Sequence, residues 1–363
     1  MRILHVLRSP VGGLFRHVRD LARGQSQLGH TVGMVCDSTT GGSGATALLE
    51  SSKAHCAGGI ATLPIARLPS PADLKIIADC TALARDRKFD IIHGHGAKGG
   101  LIARLVGRRL RLPSVYTPHG GSLHYSWTSP AGMAFLTAEK ILARLGSGFV
   151  FVCEFEKRAF EAKIGLAGKP ATVVHNGLWA EEFQPVVPMA SATDLLFVGE
   201  VRYLKGIDLL LQAMVELRKV RSLSLTVVGD GPELKQYKDL AKSLGLADAV
   251  KFAGRLPIRE ALTRGRMMVV PSRNESFPYV VLETVAAGVP ILATRVGGIP
   301  EILPDAMTCH PTAGDIANHI SAALANQTAT AQASKNLVDR LKISFSADLM
   351  ARRITDFYAT ISH

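Results

Sequence analysis

Short apolar runs alternate with stretches whose apolar positions recur every three or four residues, from one end of the chain to the other. The first run, MRILHVL (1–7), stops at Ser9, Pro10, Val11, Gly12 and Gly13, a group that breaks regular structure. From Leu14 onward, Val18, Leu21, Ala22 and Leu28 share one helix face until Gly29 and His30 interrupt it. HTVGMVC (30–36) then reads as a second strand. The opening is therefore strand, glycine-rich turn, helix, strand, the start of a doubly wound sheet. Further strands are predicted at ATLPI (61–65), FDIIHGH (89–95), PSVYTPHGG (113–121) and GFVFVCE (148–154), with helices over 101–109 and up to about Lys163. Strands apolar on both faces and joined by helices belong to parallel sheets covered on both sides.

PVVPMAS (185–191) is proline-rich and has no period, and it is expected to be a linker. Beyond it the pattern restarts with strands at DLLFVGE (194–200), SLTVVGDG (224–231), AVKFAGR (249–255) and RMMVVPS (266–272), each followed by a helical stretch, then PILAT (290–294) and a helical tail from Asn318. The expected organisation is one α/β domain over 1–185 and a second over 192–345. A C-terminal helix over 346–363 is open to crossing back onto the first. A length of 363 residues agrees, since it exceeds one ordinary core.

Composition narrows the class. With 47% hydrophobic and 20% charged residues, a large core can be buried and wholesale disorder is excluded. No apolar run approaches a membrane span, and the start is too short for a signal-peptide core, so a cytoplasmic location is expected. The five cysteines stand far apart without a CxxC pair, which argues against a disulfide framework or a zinc site. The net charge of +12 is unevenly placed: residues 1–180 hold 22 Lys and Arg against 11 Asp and Glu, whereas 181–363 hold 20 against 19. Nucleic acid, an anionic membrane and phosphorylated substrates all suit so basic a first half.

Candidate chemistry gathers at predicted strand ends. Gly12 and Gly13 lie between the first strand and helix, where backbone can approach an anion. They do not form GxGxxG, and only Asp37 stands near the position of a ribose-binding acid, so a dinucleotide cofactor is not favoured. His93 and His95 end one strand, and His119 lies beside Gly120 and Gly121 at the end of another. In FVGEVRYLKG (197–206), Gly199 ends a strand, and Arg202 and Lys205 precede a helix, where cations make an anion pocket. Gly229 to Pro232 forms a further strand-end turn. In ESFPYVVLE (275–283), Glu275 precedes a helix that Pro278 can start, and Glu283 lies within it. Carboxylates so placed can take sugar and ribose hydroxyls while phosphates sit at the helix start.

Together these segments resemble the retaining glycosyltransferases of family 4, which have the two-Rossmann-domain GT-B fold. The resemblance runs through GGLFRHVRDLARGQSQLGHTV (12–32), TPHGG (117–121), VHNGL (174–178), VGEVRYLKG, VVGDGP (227–232), the E-x7-E stretch and AAGVPILATRVGGIPEIL (286–303). It implies two Rossmann-like domains facing a central cleft. It further implies that Glu275 takes hydroxyls of the transferred sugar and Glu283 the ribose. Ser276, Phe277, Pro278 and Tyr279, with Lys205, would hold the diphosphate, and Gly199 would lie against it. His119 would approach the sugar and leaving phosphate, Gly12 and Gly13 would close over the pyrophosphate, and Gly254, Arg255 and Leu256 would meet the base. Glu200 stands where the family usually has arginine, and Arg202 is the candidate replacement.

The expected reaction is retaining transfer of a hexosyl group from a UDP- or GDP-linked sugar to a glycan or lipid-linked acceptor, in bacterial surface polysaccharide or lipopolysaccharide synthesis. No Asp-x-Asp occurs, so no metal and no cofactor are expected. Two other classes fit less well. A GT-B sugar-nucleotide epimerase would need no acceptor, and a nucleic-acid binder would need aromatics interleaved with its basic residues. A peripheral location on the inner face of the cytoplasmic membrane is also expected. Arg104, Arg108, Arg109 and Arg111 would meet anionic lipid there, and a loop from His124 through Trp127 to Phe135 and Leu136 would enter the headgroups.

Overall fold

In the computed structural model, which describes residues 1–361, the chain forms two compact units. The first comprises Met1–Asn176 together with the C-terminal segment from Ala347, and the second is Gly177–Ser346. In chain order the first unit contains β1 (Arg2–Leu7), α1 (Gly12–Gln27), β2 (Thr31–Asp37), α2 (Gly42–Ser52), β3 (Gly59–Leu63), α3 (Ala72–Asp86), β4 (Ile91–His95), α4 (Gly96–Leu110), β5 (Ser114–Thr117), α5 (Pro130–Ala143), β6 (Gly148–Phe151), α6 (Glu154–Lys163) and β7 (Ala171–Val173). The second contains β8 (Thr193–Val198), α7 (Ile207–Arg218), β9 (Leu225–Val228), α8 (Leu234–Ser243), β10 (Val250–Gly254), α9 (Ile258–Ala261), β11 (Gly265–Val270), α10 (Tyr279–Ala286), β12 (Ile291–Thr294), α11 (Ile299–Ile302), β13 (Thr308–Cys309), α12 (Ala313–Ala325) and α13 (Gln327–Ser344). The last helix, α14 (Ala347–Ile361), belongs to the first unit.

The first unit is a seven-stranded parallel sheet in the order β3-β2-β1-β4-β5-β6-β7. Side chains alternate across a strand, so each buried strand feeds two cores. Leu4 and Val6 of β1 and Ile92 of β4 pack under Ile76 and Ile77 of α3 and Ile102, Ala103 and Val106 of α4. Ile3 and Ile91, one residue out of phase, pack on the other face with Leu21 of α1 and Met350, Ala351, Ile354 and Tyr358 of α14. The 3.6-residue spacing along α14 points those side chains at the sheet, and each large apolar one buried contributes about 1.5–3 kcal/mol.

The second unit is a six-stranded parallel sheet, β10-β9-β8-β11-β12-β13. Leu195 and Phe197 of β8 share a core with Leu210, Leu211 and Met214 of α7 and Ile316 and Ile320 of α12. Both sheets therefore have the doubly wound arrangement expected from the hydrophobic pattern.

Several local expectations differ from the structure. α1 begins at Gly12 rather than Leu14, because Gly12 takes a positive φ of 74° that lets the chain turn straight from β1 into the helix. α4 starts at Gly96, five residues before the expected 101. β7 and β13 are too short, at three and two residues, to leave a periodic signal. Residues 185–191, expected as a linker, run along the second unit: the Val186 N–H donates to the Ala287 carbonyl at 2.9 Å and that of Met189 to Thr263 at 3.0 Å.

The expected lipid-facing surface also changes. Arg104 is fully buried, pairs with Glu139 at 2.9 Å and lies 4.2 Å over the Tyr116 ring, so it cannot meet lipid. Leu136 is buried too, because α5 turns it inward. Arg108, Arg109 and Arg111 stay exposed, as do Trp127 and Met133. No helix among the described residues is long and apolar enough to cross a membrane.

Candidate active site

In a doubly wound sheet, ligands sit beyond the carboxyl ends of the strands where the strand order reverses. In the second unit that point lies between β8 and β11. The loop leaving β8 carries Gly199, Arg202 and Lys205, and the loop leaving β11 carries Ser272 to Pro278. Lys205 Nζ donates to Glu275 Oε1 at 2.7 Å, and Ser272 Oγ donates to the same oxygen at 2.7 Å. The carboxylate is nearly buried and the ammonium a quarter exposed. So placed, Glu275 is held rigidly by two donors and keeps acceptor capacity for ligand hydroxyls.

Backbone contacts fix these loops. A Cβ on Gly206, which has φ 68° and is the N-cap of α7, would lie 1.9 Å from the Pro271 carbonyl oxygen. A Cβ on Gly297 would lie 1.7 Å from the Glu275 carbonyl oxygen, and the adjacent Gly298 N–H donates to Ser276 at 2.7 Å. Only glycine permits either approach.

Arg273, which the sequence did not single out, ties the two loops together. Its guanidinium donates to both carboxylate oxygens of Asp208 at 2.7 and 2.5 Å and to the Tyr203 carbonyl at 2.9 Å, and it stacks 4.1 Å from the Tyr203 ring. Hydrogen bonding to Asp208 raises the Arg273 pKa further. Ser272 and Arg273 adjoin a recognisable strand end, but only the fold reveals their partners.

The remaining predicted residues are spread along the same carboxyl edge. Pro278 is the N-cap of α10 and contributes no side-chain capping hydrogen bond of its own. Phe277 is buried against Phe345, and Tyr279 and the half-buried Glu283 lie on α10. Arg202 pairs with Glu200 at 3.3 Å, both side chains being exposed, so the acid at the expected arginine position holds the nearest cation. Gly254 ends β10, two strands from β8, and its carbonyl accepts from the Gly229 N–H at 2.7 Å. Arg255 beside it is exposed, 3.5 Å from Asp230, and Leu256 is half-buried.

In the first unit the order reverses between β1 and β4. Parallel pairing sets His5 beside His93 and Leu7 beside His95, and the two-residue period turns His5, His93 and His95 to the face covered by α1 and α14. From α1, His17 and Gln25 occupy positions of its buried stripe. His119, with φ 50°, follows β5, and its loop is held by Glu156, whose carboxylate accepts from the Gly120 N–H. Five imidazoles thus meet at one strand end. His5 Nδ1 lies 3.0 Å from His95 Nε2, His95 Nδ1 lies 3.2 Å from His119 Nε2, and the His17 and His119 ring centres are 4.7 Å apart.

Burial lowers His5 and His17 to about 4, opposed by hydrogen bonds to Gln25 and Asn176 respectively. His93, His95 and His119 are held well below the ordinary imidazole range, by burial first and then by neighbouring imidazoles. The cluster is therefore neutral at pH 7. His5, His17 and Gln25 were not legible as site residues because they stand at positions that otherwise read as core.

Gly12 and Gly13 are exposed at the start of α1. Asp37 accepts from Thr39 Oγ at 2.8 Å and the Ile65 N–H at 2.9 Å, which makes it a brace for its own loop. The five cysteines are all buried thiols, and burial pushes that of Cys36 up to about 12.

Two family models match, together running from residue 11 to 339: Glycosyltransferase Family 4 over 11–181 and Glycosyl transferases group 1 over 181–339. The phosphatidylinositol N-acetylglucosaminyltransferase gpi3 subunit of Schizosaccharomyces pombe is 28% identical over 75% of this chain and 61% of its own length. The D-inositol 3-phosphate glycosyltransferase of Frankia alni is 32% identical over 61% of each chain. This chain thus spans about three fifths of the length of these curated relatives. Among solved structures, Anabaena HepE in complex with UDP and glucose superposes with a TM-score of 0.85 at 20% identity, covering 99% of this chain and all of that one.

Proposed function

The chain belongs to the group 1, family 4 glycosyltransferases, and we propose that it transfers a sugar from a nucleoside diphosphate to an acceptor hydroxyl with retention of anomeric configuration. The observation that carries this reading is the Lys205–Glu275 pair, held at the strand-order reversal of the second unit beside the start of α10. Glu275 accepts from hydroxyls of the transferred sugar, and Glu283 takes the ribose. The α10 start, with Lys205 and Arg202, receives the diphosphate at Ser276 to Tyr279 beside Gly199. Gly254, Arg255 and Leu256 serve the base, Gly12 and Gly13 the pyrophosphate, and His119 the reacting sugar.

In the reaction the bond from the anomeric carbon to the diphosphate oxygen breaks, and the acceptor oxygen bonds to that carbon. The acceptor's proton leaves with the diphosphate. Positive charge develops on the sugar while negative charge grows on the phosphate. Fixed donors at the phosphate lower that barrier by about 3 kcal/mol each. These donors take the place of a metal, so chelator is expected to leave turnover unchanged.

The proposed donor is UDP- or GDP-linked, which the UDP complex of HepE supports for uridine. The proposed acceptor is a glycan or lipid-linked glycan of a bacterial surface polysaccharide or lipopolysaccharide, met at the inner face of the cytoplasmic membrane. Relatives named for phosphatidylinositol and inositol phosphate support a polyol or lipid-borne hydroxyl. A thermal-shift screen against UDP-, GDP- and ADP-sugars, followed by NMR of the product's anomeric proton, tests this. Stabilisation by one donor class and a retained anomer are expected. An inverted anomer would overturn the mechanism, and epimerised donor formed without acceptor would overturn the reaction.

A further inference from the structure

We infer that His17, His95 and His119 form a binding site for a divalent transition-metal ion, with Zn²⁺ the best fit, at the carboxyl end of the first sheet. One nitrogen from each ring lies within 4.8 Å of the other two. Proximity alone would not distinguish a ligand set from a hydrogen-bonded cluster; the protons do.

His17 Nδ1 lies 2.9 Å from Asn176 Oδ1, an oxygen that can only accept. The His17 proton is therefore on Nδ1, and Nε2 carries a lone pair. That nitrogen is buried and has no hydrogen-bond partner. On His95 the assignment comes from the other side. His5 Nε2 lies 2.8 Å from Gln25 Oε1, again an acceptor, so the His5 proton is on Nε2 and its Nδ1 accepts from His95 Nε2 at 3.0 Å. His95 Nδ1 is left with a lone pair, 3.2 Å from His119 Nε2.

Two rings are thus locked by outer partners, Asn176 and the His5–Gln25 pair, in the tautomers that aim lone pairs inward. This is how protein metal sites orient imidazoles. Tetrahedral coordination with metal–nitrogen bonds of about 2.0–2.1 Å separates ligand nitrogens by about 3.3 Å. The His95–His119 spacing already matches, and His17 has only to close in. Without an ion, His119 Nε2–H donates to His95. With an ion bound, that proton moves to His119 Nδ1, so no net proton is released.

Three neutral imidazoles and no carboxylate favour Zn²⁺, Cu²⁺ or Ni²⁺ over Mg²⁺ or Ca²⁺. His119 is partly exposed, which provides an entry path and a position for water as the fourth ligand. The consequence for transfer rests on the proposed function: an ion on His119 withholds it from the sugar, so Zn²⁺ inhibits while the metal-free protein is active.

The test uses the metal-free full chain without sugar nucleotide, titrated with Zn²⁺ by calorimetry and with Co²⁺ by visible absorption. One equivalent bound and intense tetrahedral Co²⁺ bands that Zn²⁺ abolishes are expected. His17→Gln should weaken binding at least 100-fold. Asn176→Leu should weaken it roughly 10–100-fold, as loss of an outer partner does. His310→Ala, an exposed histidine of the second unit, should change nothing. Absence of stoichiometric binding, a weak octahedral Co²⁺ spectrum, or unchanged affinity in His17→Gln would overturn the site. If His17→Gln does not fold, His119→Gln, on a partly exposed loop, removes a ligand instead and must weaken binding as much. Stoichiometric Zn²⁺ binding by a protein without transferase activity would keep this site and discard the proposed function.

Discussion

The two units share a strand order and a reversal point, yet opposite chemistry stands at their carboxyl edges. In the first, four buried imidazoles and the partly exposed His119 crowd one strand end, and burial keeps them uncharged. In the second, a lysine and a glutamate meet at 2.7 Å where the ammonium still reaches water. The difference follows from cover. α1 and α14 close over β1 and β4, so only groups that can be neutral survive there. In the loops leaving β8 and β11 the Lys205 side chain stays partly exposed, so a charged pair can be retained for a charged ligand. One topology thus yields a neutral, proton-sensitive surface and a charged, anion-seeking one.

The largest test of that contrast is acid. His5 and His17 titrate near 4 when folded and near 6.5 when unfolded. Because the folded values are depressed, the unfolded chain binds the extra protons, and stability is lost as pH falls from about 6.5 towards 4. Each group contributes about 3 kcal/mol to that loss. The first unit should unfold in this window, whereas the second, whose only histidines are the unburied His310 and His319, should hold. Trp127 and Trp179, one in each unit, report this separately by fluorescence in the Trp127→Phe and Trp179→Phe variants. Simultaneous transitions would remove the contrast.

Next in size is the charged pair. Glu275→Ala and Lys205→Ala are each expected to lower kcat by two or more orders of magnitude with the melting temperature little changed. Near-normal turnover in a folded Glu275→Ala protein would deny the second unit its assigned role. A smaller effect is expected from Arg273→Ala, which leaves Asp208 without its partner and frees the two loops. Loss of about 2 kcal/mol of stability, read by urea unfolding, is anticipated, with KM for the donor rising more than kcat falls.

The smallest effect concerns the basic surface. Exposed Arg108, Arg109 and Arg111 should each add about 1 kcal/mol to binding of anionic vesicles. Charge reversal of all three should abolish co-sedimentation at low salt, while Arg104, sealed against Glu139 and Tyr116, plays no part. Equal binding to neutral vesicles would mean that charge does not direct the contact.

The alternation of apolar runs and helical stretches determined the two parallel sheets, because burial on both faces leaves an uninterrupted hydrophobic signal. The loop residues Lys205, Glu275 and His119 were legible as well, since glycines and charges interrupt that signal at strand ends. What lay outside reach was every relation set by register and packing. His5 and His17 occupy core positions in the pattern, and only parallel pairing of β1 with β4, under α1, turns them towards His95. Arg104 and Arg109 are alike in sequence and lie on one helix, but the turn of α4 buries the first and exposes the second. Local periodicity is a property of neighbouring residues, whereas a hydrogen bond between residues 5 and 95, or 205 and 275, exists only after distant segments have closed on one another.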